Sequence, residues 1–154
     1  MPFSVARKRT CASDLVAYFL QEAIRAVLGT RTQTHKAWRH PRASGGANLP
    51  YGFSTFDDFR NGVATSIKSI DLALPSYTKS GGILSQIKKY INSAANFESY
   101  TKSGFTLTAA DITERVVQVA IRPGSATIDQ WLEISKAFKY AKDNSVRLTI
   151  KVIN

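Results

Sequence analysis

Thiols, acidic side chains and long apolar runs are all scarce in this chain of 154 residues. Its one cysteine, Cys11, excludes an internal disulfide framework and any zinc site built from several thiolates. No apolar run approaches the roughly 20 residues that a helix needs to cross a bilayer, so the sequence does not read as an integral membrane protein. Its start, "MPFSVARKRT", has Arg7, Lys8 and Arg9 but no apolar run and cleavage pattern behind them, and makes a poor secretory signal. Export would then depend on a signal elsewhere, on a larger parent chain. Only 11 residues are Asp or Glu against 21 Lys and Arg, leaving a formal net charge of +10. A surplus of that size attracts polyanions before any specific contact forms, which makes nucleic acid the leading partner class.

What is present suits one globular domain, since the length is enough for one core and short for two. Residues 1–12 read as a basic N-terminal segment and residues 13–154 as a single domain. Within it, "SDLVAYFLQEAIRAVL" (13–28) has apolar residues at helical spacing, with Ser13 placed as an N-cap and Gly29 as a stop. Residues 30–50 lose all periodicity and read as an extended basic loop. Residues 51 to about 72 read as a β-hairpin, with "RNG" as its turn between an aromatic strand and a β-branched one. A helix is expected over "ILSQIKKYINSAANF", a strand over 114–121, an amphipathic helix over 127–144 and a closing strand over 146–153. The last three form a crossover unit, so the fold class is α/β with a mixed or parallel sheet. The hexapeptide "SYTKSG" occurs at 76–81 and again at 99–104, but its neighbours do not repeat, and it reads as coincidental loop chemistry.

Two clusters carry chemistry. In the hairpin, alternation along a strand puts Ser66 and Lys68 on one face and Ile67 on the other, and pairing across "RNG" permits Asp57 to approach Lys68. A carboxylate beside a lysine suits phosphodiester hydrolysis, in which the acid holds a divalent metal and the lysine offsets developing charge. A surface hairpin with solvated or paired Asp57, Asp58 and Lys68 fits the same pattern equally well. In the loop, His35, Lys36, Trp38, Arg39, His40 and Arg42 interleave aromatic and cationic groups. Lys36, Arg39 and Arg42 would bind phosphates, and Trp38 would stack on an unpaired base for about 1 to 3 kcal/mol, a composition suited to RNA loops or single strands. A solvated linker with Trp38 packed on the core is the plain alternative. Metal-free RNA cleavage by His35 and His40 is a further reading, though nothing rigid in the sequence positions them.

The stretches "LPYGFSTFDDFRNGVATSIKSIDL", "QIKKYINSAANFESYTKSG", "ERVVQVAI" and "IDQWLEISKAFKYAKDNSVRLTIKVI" together resemble the C-terminal nuclease toxin domains of bacterial contact-dependent growth inhibition proteins. These are filamentous-haemagglutinin-like effectors with toxin tips of the PD-(D/E)XK endonuclease type. The resemblance implies a restriction-endonuclease-like mixed β-sheet flanked by helices. It makes Asp57 the metal-binding carboxylate, with Asp58 its neighbour, and Lys68 the catalytic lysine. Ser66 stands where the wider superfamily often has a second carboxylate. Glu22, on the flank of the apolar stripe of the 13–28 helix, would assist at the metal, whereas Asp14 points away from that stripe; a Glu22 to Arg25 surface pair is the alternative. Asp71 matches a recurrent aspartate with no stated role. The implied cofactor is a divalent metal, Mg2+ first and Mn2+ or Zn2+ as alternatives. The implied partners are nucleic acid, tRNA in preference to DNA, and a cognate immunity protein with an acidic surface. The domain would be exported as part of a larger bacterial surface protein and act in the target-cell cytoplasm. A non-catalytic nucleic-acid-binding domain is the rival, with Ser66 as the trace of a lost ligand.

Overall fold

The β-branched run after Gly62 is a strand former. In the computed structural model, which describes residues 47–122 and 126–153, it is the strand β2 (Val63–Ser69). It pairs antiparallel with the short β1 (Asp58–Arg60) and parallel with β5 (Glu114–Ile121), which pairs parallel with β6 (Val146–Val152). The sheet order is therefore β1-β2-β5-β6. Asn61 and Gly62 join β1 to β2 with φ of 50° and 80°, the pair of left-handed residues that a two-residue hairpin turn demands. This turn fixes the register, with Asp58 opposite Thr65 and Arg60 opposite Val63.

The first strand of that hairpin is shorter than expected. Residues 51–57 coil instead, with Gly52 and Thr55 left-handed at φ 71° and 67°. Phe53 and Phe56 are both buried, and an extended strand would send residues three apart to opposite faces. Burying both rings on one side requires the chain to turn between them. The end of the expected basic loop is also ordered into the fold: Leu49 is buried, and the Asn48 amide both donates to the Phe59 carbonyl and accepts from the Phe59 N–H, each at 2.8 Å. Asn48 thus occupies the outer edge of β1 where another strand would pair.

A short helix α1 (Pro75–Thr78) leads into α2 (Gly82–Ala95), which buries Ile83, Ile87, Ile91 and Ala94 on one stripe. Helix α3 (Ile128–Asp143) buries Gln130, Ile134, Ala137 and Ala141. Its N-cap Thr127 and Gln130 satisfy each other's backbone N–H groups in a capping box, and Asn144 closes its C-terminus, close to the expected bounds. The crossovers β2-to-β5 and β5-to-β6 step the same way across the sheet, so right-handed connections place their helices on the same face. There α2 packs on α3 and both pack on the sheet, burying Val117, Val119 and Ile121 of β5 and Leu148 of β6. The two helices are also tied together by Glu133. Its carboxylate accepts from the backbone N–H of Gly81 at 2.5 Å and of Ile83 and Leu84 at 3.1 Å each, serving the open N-terminus of α2 from a neighbouring helix.

An unexpected second sheet follows α2: strands β3 (Ser99–Lys102) and β4 (Phe105–Thr108), joined by Ser103 and Gly104 at φ 52° and 76°. The repeated hexapeptide is therefore not loop in both copies. Residues 99–104 are a strand and its turn, whereas residues 76–81 finish α1 and supply left-handed Gly81 as the N-cap of α2. Context decides. Pro75 pre-sets the first helical turn before one copy, and a strand partner, "FTLT", follows the other.

Candidate active site

Strand β2 turns Ala64, Ser66 and Lys68 toward the helix-covered face, with Ala64 and Ser66 fully enclosed and Lys68 partly open to solvent. Across from them the chain enters β1 through Asp57. Its backbone N–H donates to the Thr65 carbonyl at 2.9 Å, but its own carbonyl turns away and accepts from Leu49. The carboxylate fills the gap that leaves in the ladder: Asp57 Oδ2 accepts from the Ile67 N–H at 2.7 Å and from Lys68 Nζ at 3.3 Å. The side chains of Asp57 and Lys68 stay 25% and 32% exposed, so a ligand can reach the pair. Asp57 Oδ1 takes no hydrogen bond from the described residues.

Asp58 projects the other way and pairs with Arg60 on its own strand at 3.0 Å. Asp71 lies just beyond β2, where its carboxylate accepts from the Ala73 N–H at 3.2 Å and its carbonyl from the Leu74 N–H at 3.1 Å, which is a turn-forming role. The Ser66 hydroxyl donates to the Thr55 carbonyl at 2.6 Å. Glu22, Lys36, Trp38, Arg39 and Arg42, with His35 and His40, lie outside the described residues.

Sequence reasoning missed two parts of this arrangement. The Ile67 N–H that anchors Asp57 is a backbone group and carries no residue signature. Beside Thr55 an open depression of about 440 Å³, lined by Asn92, Asn96, Glu98 and Ser99 among others, runs along the end of α2. Nothing in the spacing of those polar residues marks them off from a solvated helix end.

No three of His, Cys, Asp and Glu converge among the described residues. A cation at Asp57 would therefore take one protein carboxylate, through the unengaged Oδ1, and complete its shell from water, phosphate oxygens or a residue outside the described set. That donor set fits a hard ion such as Mg2+, which keeps several waters and binds through one or two carboxylates. It does not offer the closed nitrogen and sulfur cage of a structural zinc site.

A carboxylate at the entry to one strand and a lysine on the next, in a mixed sheet with crossover helices, define a restriction-endonuclease-like domain. The chain belongs to the family described as the CDI toxin restriction endonuclease-like domain, whose family model matches residues 23–151. It is 39% identical over 107 residues to deoxyribonuclease CdiA-o11 of Escherichia coli O157:H7 (strain EC869), a match covering 68% of this chain and 28% of that protein. It is 35% identical over 108 residues to deoxyribonuclease CdiA of Yersinia pseudotuberculosis serotype O:3 (strain YPIII), covering 68% of this chain and 10% of that one. The chain thus corresponds to a small part of much longer relatives. Among solved structures it is similar to a CdiA-CT/CdiI toxin and immunity complex from Yersinia pseudotuberculosis, with TM-score 0.62 and 31% identity over 71% of this chain and 90% of that one. Both of these relatives carry the name deoxyribonuclease, and neither name mentions the tRNA first expected here.

Proposed function

We propose that this domain hydrolyses phosphodiester bonds of DNA in a competing cell, with Asp57 and Lys68 as its catalytic residues and a divalent cation, Mg2+ first, held at Asp57. The observation that carries this is the carboxylate fixed by the Ile67 N–H at 2.7 Å and Lys68 at 3.3 Å, on a family that includes named deoxyribonucleases. Hydrolysis adds a water oxygen to phosphorus and releases one ester oxygen, which takes up a proton. Asp57 Oδ2 is held by β2, leaving Oδ1, which takes no hydrogen bond from the described residues, to receive the cation. When bound, such an ion would polarise the phosphate and lower the pKa of a water. Lys68 Nζ, tied to Asp57 on one side, has further donors for a non-bridging phosphate oxygen, where negative charge builds as water attacks. The charge of +10 draws the polyanion to the surface.

Glu22 is proposed as a second carboxylate at the cation, and Lys36, Trp38, Arg39 and Arg42 as contacts along the nucleic acid. The solved relative is a toxin and immunity complex, and we propose that a cognate immunity protein with an acidic surface blocks this domain in the producing cell. Delivery is proposed as the tip of a larger surface protein, with action in the target-cell cytoplasm.

The test is incubation of purified protein with supercoiled plasmid and, separately, with total tRNA, in Mg2+, Mn2+ or Zn2+ and in EDTA. Metal-dependent nicking of plasmid that is lost in Asp57→Ala and Lys68→Ala is expected. Cleavage of tRNA alone would move the substrate to RNA, and intact substrates that are shifted in a gel would leave a binding module.

A further inference from the structure

We propose that Ser66 is a positioning residue: its hydroxyl holds the left-handed Thr55 so that Asp57 meets the Ile67 N–H and Lys68, and it is not itself a metal ligand. This rests on the nuclease reading only for its catalytic consequence. Four successive residues of β2 each grip the segment 55–57. The Thr65 carbonyl takes the Asp57 N–H, the Ser66 hydroxyl holds the Thr55 carbonyl at 2.6 Å, and the Ile67 N–H and Lys68 Nζ hold the Asp57 carboxylate. Of these, the Ser66 bond is the one made to a residue in an unfavourable backbone state. Thr55 has φ 67°, a region that a β-branched residue rarely enters and that persists only where its surroundings enforce it.

Ser66 is 2% exposed, and its one hydroxyl proton is committed to the Thr55 carbonyl. A carboxylate in its place would press its negative oxygens against that carbonyl, at a position only 2% exposed. An acceptor-only group at this position would therefore oppose this backbone, whereas a hydroxyl supports it. The Asp57 orientation depends on Thr55 because only Phe56 separates them, and Phe56 is itself fully buried.

The experiment compares Ser66→Ala, Ser66→Asp and Ser66→Cys with the unaltered chain by amide hydrogen exchange, Mn2+ binding followed by electron paramagnetic resonance, and plasmid cleavage. In Ser66→Ala the Ile67 amide is expected to exchange about tenfold faster, the change that losing one hydrogen bond of roughly 1.4 kcal/mol gives, with the Val117 and Leu148 amides unmoved. Its kcat should fall about 10- to 100-fold with KM for DNA unchanged, and Mn2+ affinity should weaken only in step with the loosened Asp57. Ser66→Cys, which keeps a weak donor, should fall between. An Ile67 amide that is unaffected, whether or not Mn2+ affinity drops, or cleavage retained in Ser66→Asp would each overturn the assignment. A wild-type chain that cuts neither DNA nor RNA would remove the nuclease reading while leaving the Ile67 measurement to decide the role of Ser66.

Discussion

Asp57 Oδ2 lies 3.3 Å from Lys68 Nζ while also taking the Ile67 N–H, so one oxygen atom serves both the β-ladder and the ion pair. That double use separates the effects of charge and shape. Asp57→Asn retains an acceptor for Ile67 and should fold normally, yet lose DNA cleavage by about a hundredfold or more. Asp57→Ala should lose as much activity and also leave the Ile67 N–H without its partner, at about 1 to 3 kcal/mol of stability. Plasmid nicking rates beside thermal melts of both variants distinguish the two. The Asp57→Ala, Lys68→Ala double variant should be no slower than the worse single one, because the groups act as a unit.

Glu133 tests a different link. Among the described residues no other side chain makes these three bonds to the N-terminus of α2, so Glu133→Ala should cost about 1 to 3 kcal/mol. Glu133→Gln keeps an acceptor and should cost less. Denaturant unfolding measures both, and KM for DNA should be the same in each.

Adjacent glycines should respond unequally to alanine. A Cβ on Gly82 would collide with the backbone carbonyl of Ser76, whereas one on Gly81 meets open space. Gly81→Ala should cost about 1 kcal/mol for its left-handed φ of 82°. Gly82→Ala should cost more, on the order of 2 to 3 kcal/mol, because backbone must shift. Melting temperatures that fall equally would contradict this packing of α1 on α2.

Asp111 closes a capping box with Thr108: its carboxylate accepts from the Thr108 hydroxyl at 2.6 Å and from its N–H at 2.8 Å. These bonds, the hydroxyl's first, hold its pKa below the ordinary carboxylate range. A folded value below the unfolded one gives stability that is fully present above the unfolded pKa and is lost as pH falls through the folded value. A carbon-13 titration of Asp111 should show a low midpoint that rises in Thr108→Val, where only the backbone donor remains.

Elements with sustained periodicity were legible in the sequence. Strand β5, helix α3 and strand β6 sit within a residue or so of where Val, Ile and the Thr127 and Asn144 caps place them. The β3-β4 hairpin was not, because only Leu107 in it is buried and its Ser and Thr residues read as loop. Asp57 and Lys68 could be brought together from sequence because the Asn61-Gly62 turn fixes the register between β2 and β1, which Asp57 directly precedes. The Ser66 to Thr55 bond could not, since it depends on a threonine entering a backbone region that its side chain disfavours. Residues 1–46, which hold Glu22 and the basic aromatic cluster, lie outside what the structure describes.

The Asn48 amide has a consequence for solubility. Sheet edges recruit other chains through unpaired N–H and C=O groups, and proteins blunt them with charges, bulges or covering segments. Here one side chain occupies both groups of Phe59 at the centre of the edge strand β1. Asn48→Ala would bare that edge and favour edge-to-edge association, readable by light scattering at rising protein concentration. An amide that looks like ordinary loop composition thus acts as a stopper against polymerisation.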